Sequence, residues 1–365
     1  MQIYLSPCLG QRLPNKMAIK INSIQGVSMM SANGTNRYTR TNPNINRNPL
    51  WNFILPYTFQ GTVAGYTSGG FTFGTYVSQD IIDKFPFATN ANATDVGDLT
   101  TVTSKTAAGQ SSSTHGYASG GGRNQGAPYP LGGYSYDNRI DKFPFATNAN
   151  ATDIADLTVG RRRVAGQSSD ASGYTTGGEL APANSNVIDK FPFASDENAT
   201  DVGDLTVTRN NLAGHSSSVS GYSSGGSVPA NSNVIDKFPF ASNANATDVG
   251  DLTTSRNSDA GQSSTLSGYS SGGRHPFGDG IPQTIIDKFP FATDANGTDV
   301  GDLTVGRSTA AGQSSTASGY TSGGFGTPDQ VQVNIIDKFP FASDGNATDV
   351  GDLTVGRRQT SGQQD

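Results

Sequence analysis

The chain is poor in the residues that usually carry chemistry: of 365, one is cysteine, one tryptophan, three are histidine and four methionine. A single thiol, Cys8, excludes an intrachain disulfide framework and offers no redox pair. His115, His215 and His275 fall at unrelated places, so they do not form a metal cluster. No apolar run is long enough to span a membrane. The opening MQIYLSPCLGQRLPNK lacks the basic start and apolar core of a secretory signal. The expectation is a protein made in a cytoplasm without Sec-type export, with Met1 and Met17 both available as starts. A basic excess is also missing. Lys and Arg total 24 against 30 Asp and Glu, net −6 with both signs dispersed, which speaks against a nucleic-acid partner. No Ser-His-Asp set, P-loop or dinucleotide fingerprint stands in a fitting context. No enzyme activity and no cofactor are expected.

What the chain has is repetition. Phe87, Phe145, Phe193, Phe240, Phe291 and Phe341 hold the same place in six copies, roughly 47 to 58 residues apart, the spacing of a propeller blade. Each copy carries a glycine-doublet block such as GYSSGG, an IDKFPFA block, and an ATDVGDLT block followed in most copies by a basic residue and AGQSS. The last copy ends TSGQQD, where another AGQSS would begin. Length varies mainly between the glycine doublet and IDKFPFA, which implies loops emerging on one rim. Hydrophobic residues are only 33% and Gly is 46 of 365, but the apolar positions recur on a fixed frame, unlike a disordered chain.

The residue types point to strands and tight turns. GQSSSTHGYASGG reads as one long strand or a hairpin ending at Gly-Gly, NVIDKFPFA as a strand with Ile, Phe and Phe on one face, and DLTV as a short strand. No 3.6-residue apolar period is convincing, so helices should be rare. Pro290 and its equivalents lack an N–H for a ladder, which favours an edge strand or a bulge. The expected architecture is all-β, a six-bladed β-propeller over residues 59–365 with a non-repeat N-terminal arm at 1–58. FILPYTFQGTVAGYTSGG would supply the first blade's inner strand, and three or four strands per blade both stay open. A β-solenoid is the alternative.

Tyr269 ahead of Gly272 and Gly273, the strand ending at Phe291, the turn Asp294 to Asp299, Leu303 and Arg307 resemble the Kelch repeat of β-propellers, with Thr298 nearest the usual Kelch tryptophan. The likeness covers roughly residues 60 to 365. The repeat wording also resembles repeat proteins of bacteriophages, marine ones especially. That resemblance implies a virion protein made in the host cytoplasm, a tail or tail-fibre component more than a head decoration. A secreted or cell-surface lectin-like adhesin is the alternative. Implied partners are other virion proteins through residues 1–58 and a host-surface glycan or protein, with multiple copies in a symmetric assembly.

Candidate sites divide into repeated and unrepeated ones. Asp294, Asn296, Thr298, Asp299 and Asp302 faintly follow a calcium loop, but Asn and Asp also bond their own backbone to make turns. The structural reading is preferred and no metal is expected. Asn-x-Thr in every copy is formally a glycosylation sequon and is read as turn chemistry. The Asp of IDKFPFA, as at Asp287, is expected to bond between blades with Lys288 solvated. Gln110, Gln167, Gln262 and Gln313, with His215 in the same place, should satisfy backbone near the axis. The unrepeated segments are the candidates for recognition: Arg123, Tyr129, Tyr134, Tyr136 and Arg139 in the second copy's long loop, and Trp51 in the Asn/Arg-rich arm.

Overall fold

A computed structural model describes residues 60–72, 77–103, 107–124, 134–275, 280–327, 329 and 331–365. The side chains of Val77, Val102, Thr103, Arg123, Asn124 and Tyr134 are outside that description. The expected arm, 1–58, and Trp51 within it also lie outside the described residues. Among the described residues there are strands and no helix.

Each of the second to sixth sheets is four-stranded and antiparallel, taking AGQS (AGHS in the fourth) from the end of the preceding copy and three strands from its own, so that strand order follows chain order. In the fifth, AGQS (Ala260–Ser263) pairs with SGYSS (Ser267–Ser271), then IIDKFP (Ile285–Pro290), then TDVGD (Thr298–Asp302). Sheets 2, 3, 4 and 6 begin likewise at Ala108–Ser111, Ala165–Ser168, Ala213–Ser216 and Ala311–Ser314. The first sheet breaks chain order. Ala64–Thr72, Val77–Pro86 and Thr94–Thr103 take its second to fourth places, and the first is filled by Ser361–Gln364 from the other end of the chain. The expected inner strand for this sheet was therefore wrong: AGYTSGG is the second strand, and the TSGQQ segment that resembled an unfinished copy completes the sheet.

The first strands of the six sheets pack each on the next, and Ser361–Gln364 touches both Ala311–Ser314 and Ala108–Ser111, so the succession returns to its start. No single sheet closes on itself. The neighbours approach so closely that a Cβ on Gly109, Gly166, Gly214, Gly261, Gly312 or Gly362 would run into the carbonyl of the adjacent glycine. Glycine is needed there for space.

Sheets stack face to face, so both faces of the third strand are buried. Phe238 packs back on Tyr174, Ile188 and Leu205 of the third sheet, whereas Ile235 packs forward with Tyr222, Leu252 and Phe289. Ile and Phe thus lie on opposite faces, because one is an odd number of residues from the other. In the second to sixth sheets the expected DLTV strand is corrected too, because the outer strand ends at its second Asp, whereas in the first it runs on through DLT. In the fourth sheet the outer strand is TDVGD, and the following Leu252, 2% exposed, leaves the ladder to plug the seam. Pro290 lies in a third strand, away from the sheet edge, and is that strand's last residue. Phe291 N–H bonds Leu266 on one side, so the proline nitrogen faces the other, where the outer strand has already ended at Thr298. No ladder bond is lost. The bulge in this ladder lies in the outer strand, where Val300 is the extra residue between Gly301, opposite Ile286, and Asp299, opposite Asp287.

Candidate functional surface

The repeated blocks meet at the seams between sheets. Tyr222 stacks on Phe291 at 4.7 Å between ring centroids and tilts against Phe289 at 5.8 Å. The same pair of contacts recurs from sheet to sheet as far as Tyr320, which stacks on Phe87 of the first sheet at 4.8 Å. Such pairs add about 0.5–1.5 kcal/mol beyond the area they bury. Beside them sits an acidic node. Asp236, fully buried, accepts the Thr206 hydroxyl at 2.7 Å and the Thr206 amide at 3.1 Å, and pairs with Arg209 at 2.9 Å, also fully buried. Arg161–Asp189, Arg256–Asp287, Arg307–Asp337 and Arg357–Asp83 repeat the pair. Burial pulls the Arg209 guanidinium below its usual pKa, and Asp236 opposes that pull.

The acidic turn is part of the same seam. Asn296 Oδ1 accepts the Asp251 amide of the preceding sheet at 3.1 Å, and Asp299 Oδ1 accepts the Gly301 amide at 3.1 Å, the turn chemistry expected of these residues. Among the described residues no group of three His, Cys, Asp or Glu side chains could hold a metal ion. The lysines are not simply solvated as expected. Lys142, Lys237 and Lys288 pair with Asp196, Asp294 and Asp344 of the next sheet at 2.9–3.0 Å, and Lys288 also lies 5.9 Å from the Tyr269 ring centre.

Near the glycine collar, Gln110, Gln167, Gln262, Gln313 and Gln363 each donate Nε2 to the tyrosine carbonyl of the next sheet at 2.9–3.0 Å. His215, in the glutamine's place, bonds Ser224 Oγ at 2.8 Å and the Gln262 carbonyl at 3.2 Å. Its complete burial pushes its pKa down to about 4, and the Arg256 charge adds to this. Two cavities flank the collar, of about 50 and 80 Å³, room for a few waters and far below the few hundred Å³ of a ligand pocket. The larger is lined by alanines and by Asp259, which is 6% exposed and whose carboxylate oxygens have no hydrogen-bond partner among the described residues. Desolvation pushes its pKa up to about 6, with Arg256 opposing.

The variable loops leave every sheet at the glycine-doublet end of the second strand, as the length variation implied, and they interlock. Arg162 and Arg163 grip Glu179 at 2.6 and 2.9 Å, and the Arg162 guanidinium lies 5.2 Å from the Tyr136 ring centre. Asn210 donates to Asn184 at 2.7 Å, and Asn257 to Asn231 at 2.6 Å. Phe325 is flanked by Arg274 at 5.0 Å and Arg358 at 4.9 Å, and Arg358 also reaches Phe71 at 5.5 Å. These cation–π and amide contacts tie described loop residues of neighbouring sheets together.

Of the expected recognition residues, Arg123 and Tyr134 lie in a small two-stranded sheet, Gly122–Asn124 with Tyr134–Tyr136. Tyr129 lies outside the described residues. Tyr136 joins the loop belt through Arg162. Arg139 is drawn inward: it pairs with Asp137 at 2.6 Å and bonds the Thr101 hydroxyl of the first sheet. The node of this seam, Asp141, has Thr100 and, among the described residues, no arginine in an ion pair, and the Arg139 charge partly offsets the desolvation that raises its pKa. Arg139 thus supplies positive charge to this node, although its own bonds go to Asp137 and Thr101. Replacing it with Val, the residue at the equivalent positions 187 and 234, is expected to cost about 2 kcal/mol and lower the melting temperature by roughly 5 °C in a calorimetric scan. Sequence reasoning missed Arg162, Glu179, Arg274, Phe325 and Arg358. The signal was present, since each departs from the Ser/Thr/Gly background of its block.

No protein-family model matches the chain, and no curated protein matches it. Among the described residues no helix is long and apolar enough to cross a membrane.

Proposed function

We propose that the chain is a non-enzymatic recognition scaffold: a six-bladed β-propeller of Kelch-like kind that holds a belt of unequal loops on one face. The observation that supports this most is the division of labour within each copy. Seam residues recur almost unchanged, whereas the segment between the second and third strands ranges from SVPANSN at 227–233 to the much longer stretch at 122–138 and varies in chemistry, although the third and fourth sheets share PANSN. The return of the succession through Ser361–Gln364 favours a propeller over a solenoid, because radial repetition protects its edges. The likeness of the repeat to bacteriophage repeat proteins extends the reading to a virion component of the tail or tail fibre. In that setting residues 1–58 attach to other virion proteins, and the loop face meets a neighbour or a host-surface glycan or protein.

Two measurements test the two levels separately. Mass spectrometry of purified particles should find the chain in stoichiometric amount, and its absence would end the virion reading. Replacing residues 123–136 by the short loop of the fourth sheet should leave the melting temperature within a few degrees but reduce particle adsorption to host cells by about tenfold, the effect of losing about 1.4 kcal/mol. Unchanged adsorption would remove that loop from recognition.

A further inference from the structure

The six acidic turns differ in one chemically consequential way. Isoaspartate forms when a backbone nitrogen attacks the side-chain carbonyl carbon of the preceding Asp or Asn. It needs an accessible side chain, an uncommitted nitrogen and no Cβ crowding the approach. In five turns the first acidic or amide residue is followed by Ala91, Ala149, Glu197, Ala244 or Ala295; in the sixth, Asp344 is followed by Gly345. The Asp344 side chain is 58% exposed. Nothing lies within 4 Å of the place a Gly345 Cβ would occupy, and the Gly345 nitrogen makes no hydrogen bond among the described residues.

Asn296–Gly297 has the intrinsically faster pair of residues, but it is locked. The Gly297 nitrogen donates to the Asp251 carbonyl at 2.7 Å, and Asn296 Oδ1 accepts the Asp251 amide at 3.1 Å. Nucleophile and electrophile are both pinned to the preceding sheet.

We propose that Asp344–Gly345 is a self-modification site of the folded protein. The Gly345 nitrogen attacks the Asp344 carboxylic carbon, the N–H proton leaves with the displaced hydroxyl as water, and a succinimide ring closes. One water then reopens it, at the side-chain carbonyl to restore Asp or at the main-chain carbonyl to give isoaspartate. No oxidant or other reactant is needed. The product routes the backbone through Cβ and moves the carboxylate away from Lys288, its partner at 2.9 Å. It also shifts the Gly345 carbonyl, which lies 2.5 Å from where a Gly301 Cβ would sit. Modification therefore loosens the seam between the fifth and sixth sheets.

The test is incubation of the full chain at 37 °C and pH 6 for several weeks, followed by isoaspartyl methyltransferase labelling and peptide mapping. A urea-unfolded sample runs alongside. The folded protein should accumulate isoaspartate at 344 and stay unmodified at 296, whereas the unfolded chain should convert mainly at 296. Gly345→Ala should abolish the signal without changing the melting temperature. Asp344→Asn should speed conversion by about tenfold, with a one-dalton gain on deamidation. Peptides containing Asn33–Gly34 and Asp279–Gly280 are mapped separately and do not bear on the result. A folded chain that stays unmodified at 344 while the unfolded control converts, or that converts at 296 as fast as the unfolded chain, would overturn the proposal.

Discussion

Replacing Arg209 by Leu is expected to destabilise the protein by about 3–5 kcal/mol and lower its melting temperature by roughly 10 °C. Asp236 is fully buried, and Arg209 is its ion-pair partner at 2.9 Å. Without the guanidinium, the carboxylate keeps only the Thr206 hydroxyl and amide, too little to offset the cost of holding a charge out of water. The double variant Arg209→Leu with Asp236→Leu should recover part of that loss, because an apolar pair of similar volume removes the charge altogether. Urea melts of all three chains at pH 7 measure both effects. A double variant no more stable than the single one would show that the node works by packing alone.

This node was half legible in the sequence. Six identical Asp residues in one repeat position cannot be six reaction centres, so inter-sheet bonding was the natural reading. The arginine partner was harder to see, because it lies at the end of the preceding copy and its spacing to Asp is set by the variable loop between them. Phe-Pro-Phe packing and the axial glutamines were legible for the same reason as Asp: repetition marks what every seam needs. Phase was not. TDVGD and DLTV both contain β-formers, and nothing local says that the ladder stops at Asp251 while Leu252 turns into the core. The completion of the first sheet by Ser361–Gln364 belongs to the ends of the chain, so no single copy could reveal it.

Departures from the repeat proved informative in two senses. Arg139 sits where the other sheets carry Val or Ile, and its oddity first suggested recognition, yet its guanidinium repairs a seam. The residues that build the loop belt, such as Phe325 between two arginines, are equally irregular and lie between the second and third strands or at the start of the next sheet. An exception inside the conserved frame therefore compensates for another exception, whereas an exception between the second and third strands adds surface chemistry.

Two exceptions near the axis are expected to oppose each other in their response to pH. His215 is held neutral, with its folded pKa down at about 4 against 6.5 for the free residue. The unfolded chain takes up that proton first, so stability is lost as pH falls from 6.5 through 4, by about 3 kcal/mol. Asp259 is raised to about 6 from 3.8. Its unfolded form ionises first, so its stability is full below pH 3.8 and is lost as pH rises through 6, again by about 3 kcal/mol. Over pH 4 to 7 the two contributions nearly cancel. His215→Gln, which restores the residue of the other five sheets, should leave Asp259 uncompensated, so that this variant becomes more stable than wild type by about 3 kcal/mol at pH 4 and little changed at pH 7. Asp259→Ala, the residue at 107 and 310, should do the reverse: a gain of about 3 kcal/mol at pH 7 that fades by pH 4. Comparing variants with wild type at each pH subtracts the surface carboxylates common to all. Urea melts across this range decide the matter, and a His215→Gln profile parallel to wild type between pH 6.5 and 4 would mean that the imidazole is not held neutral by its burial.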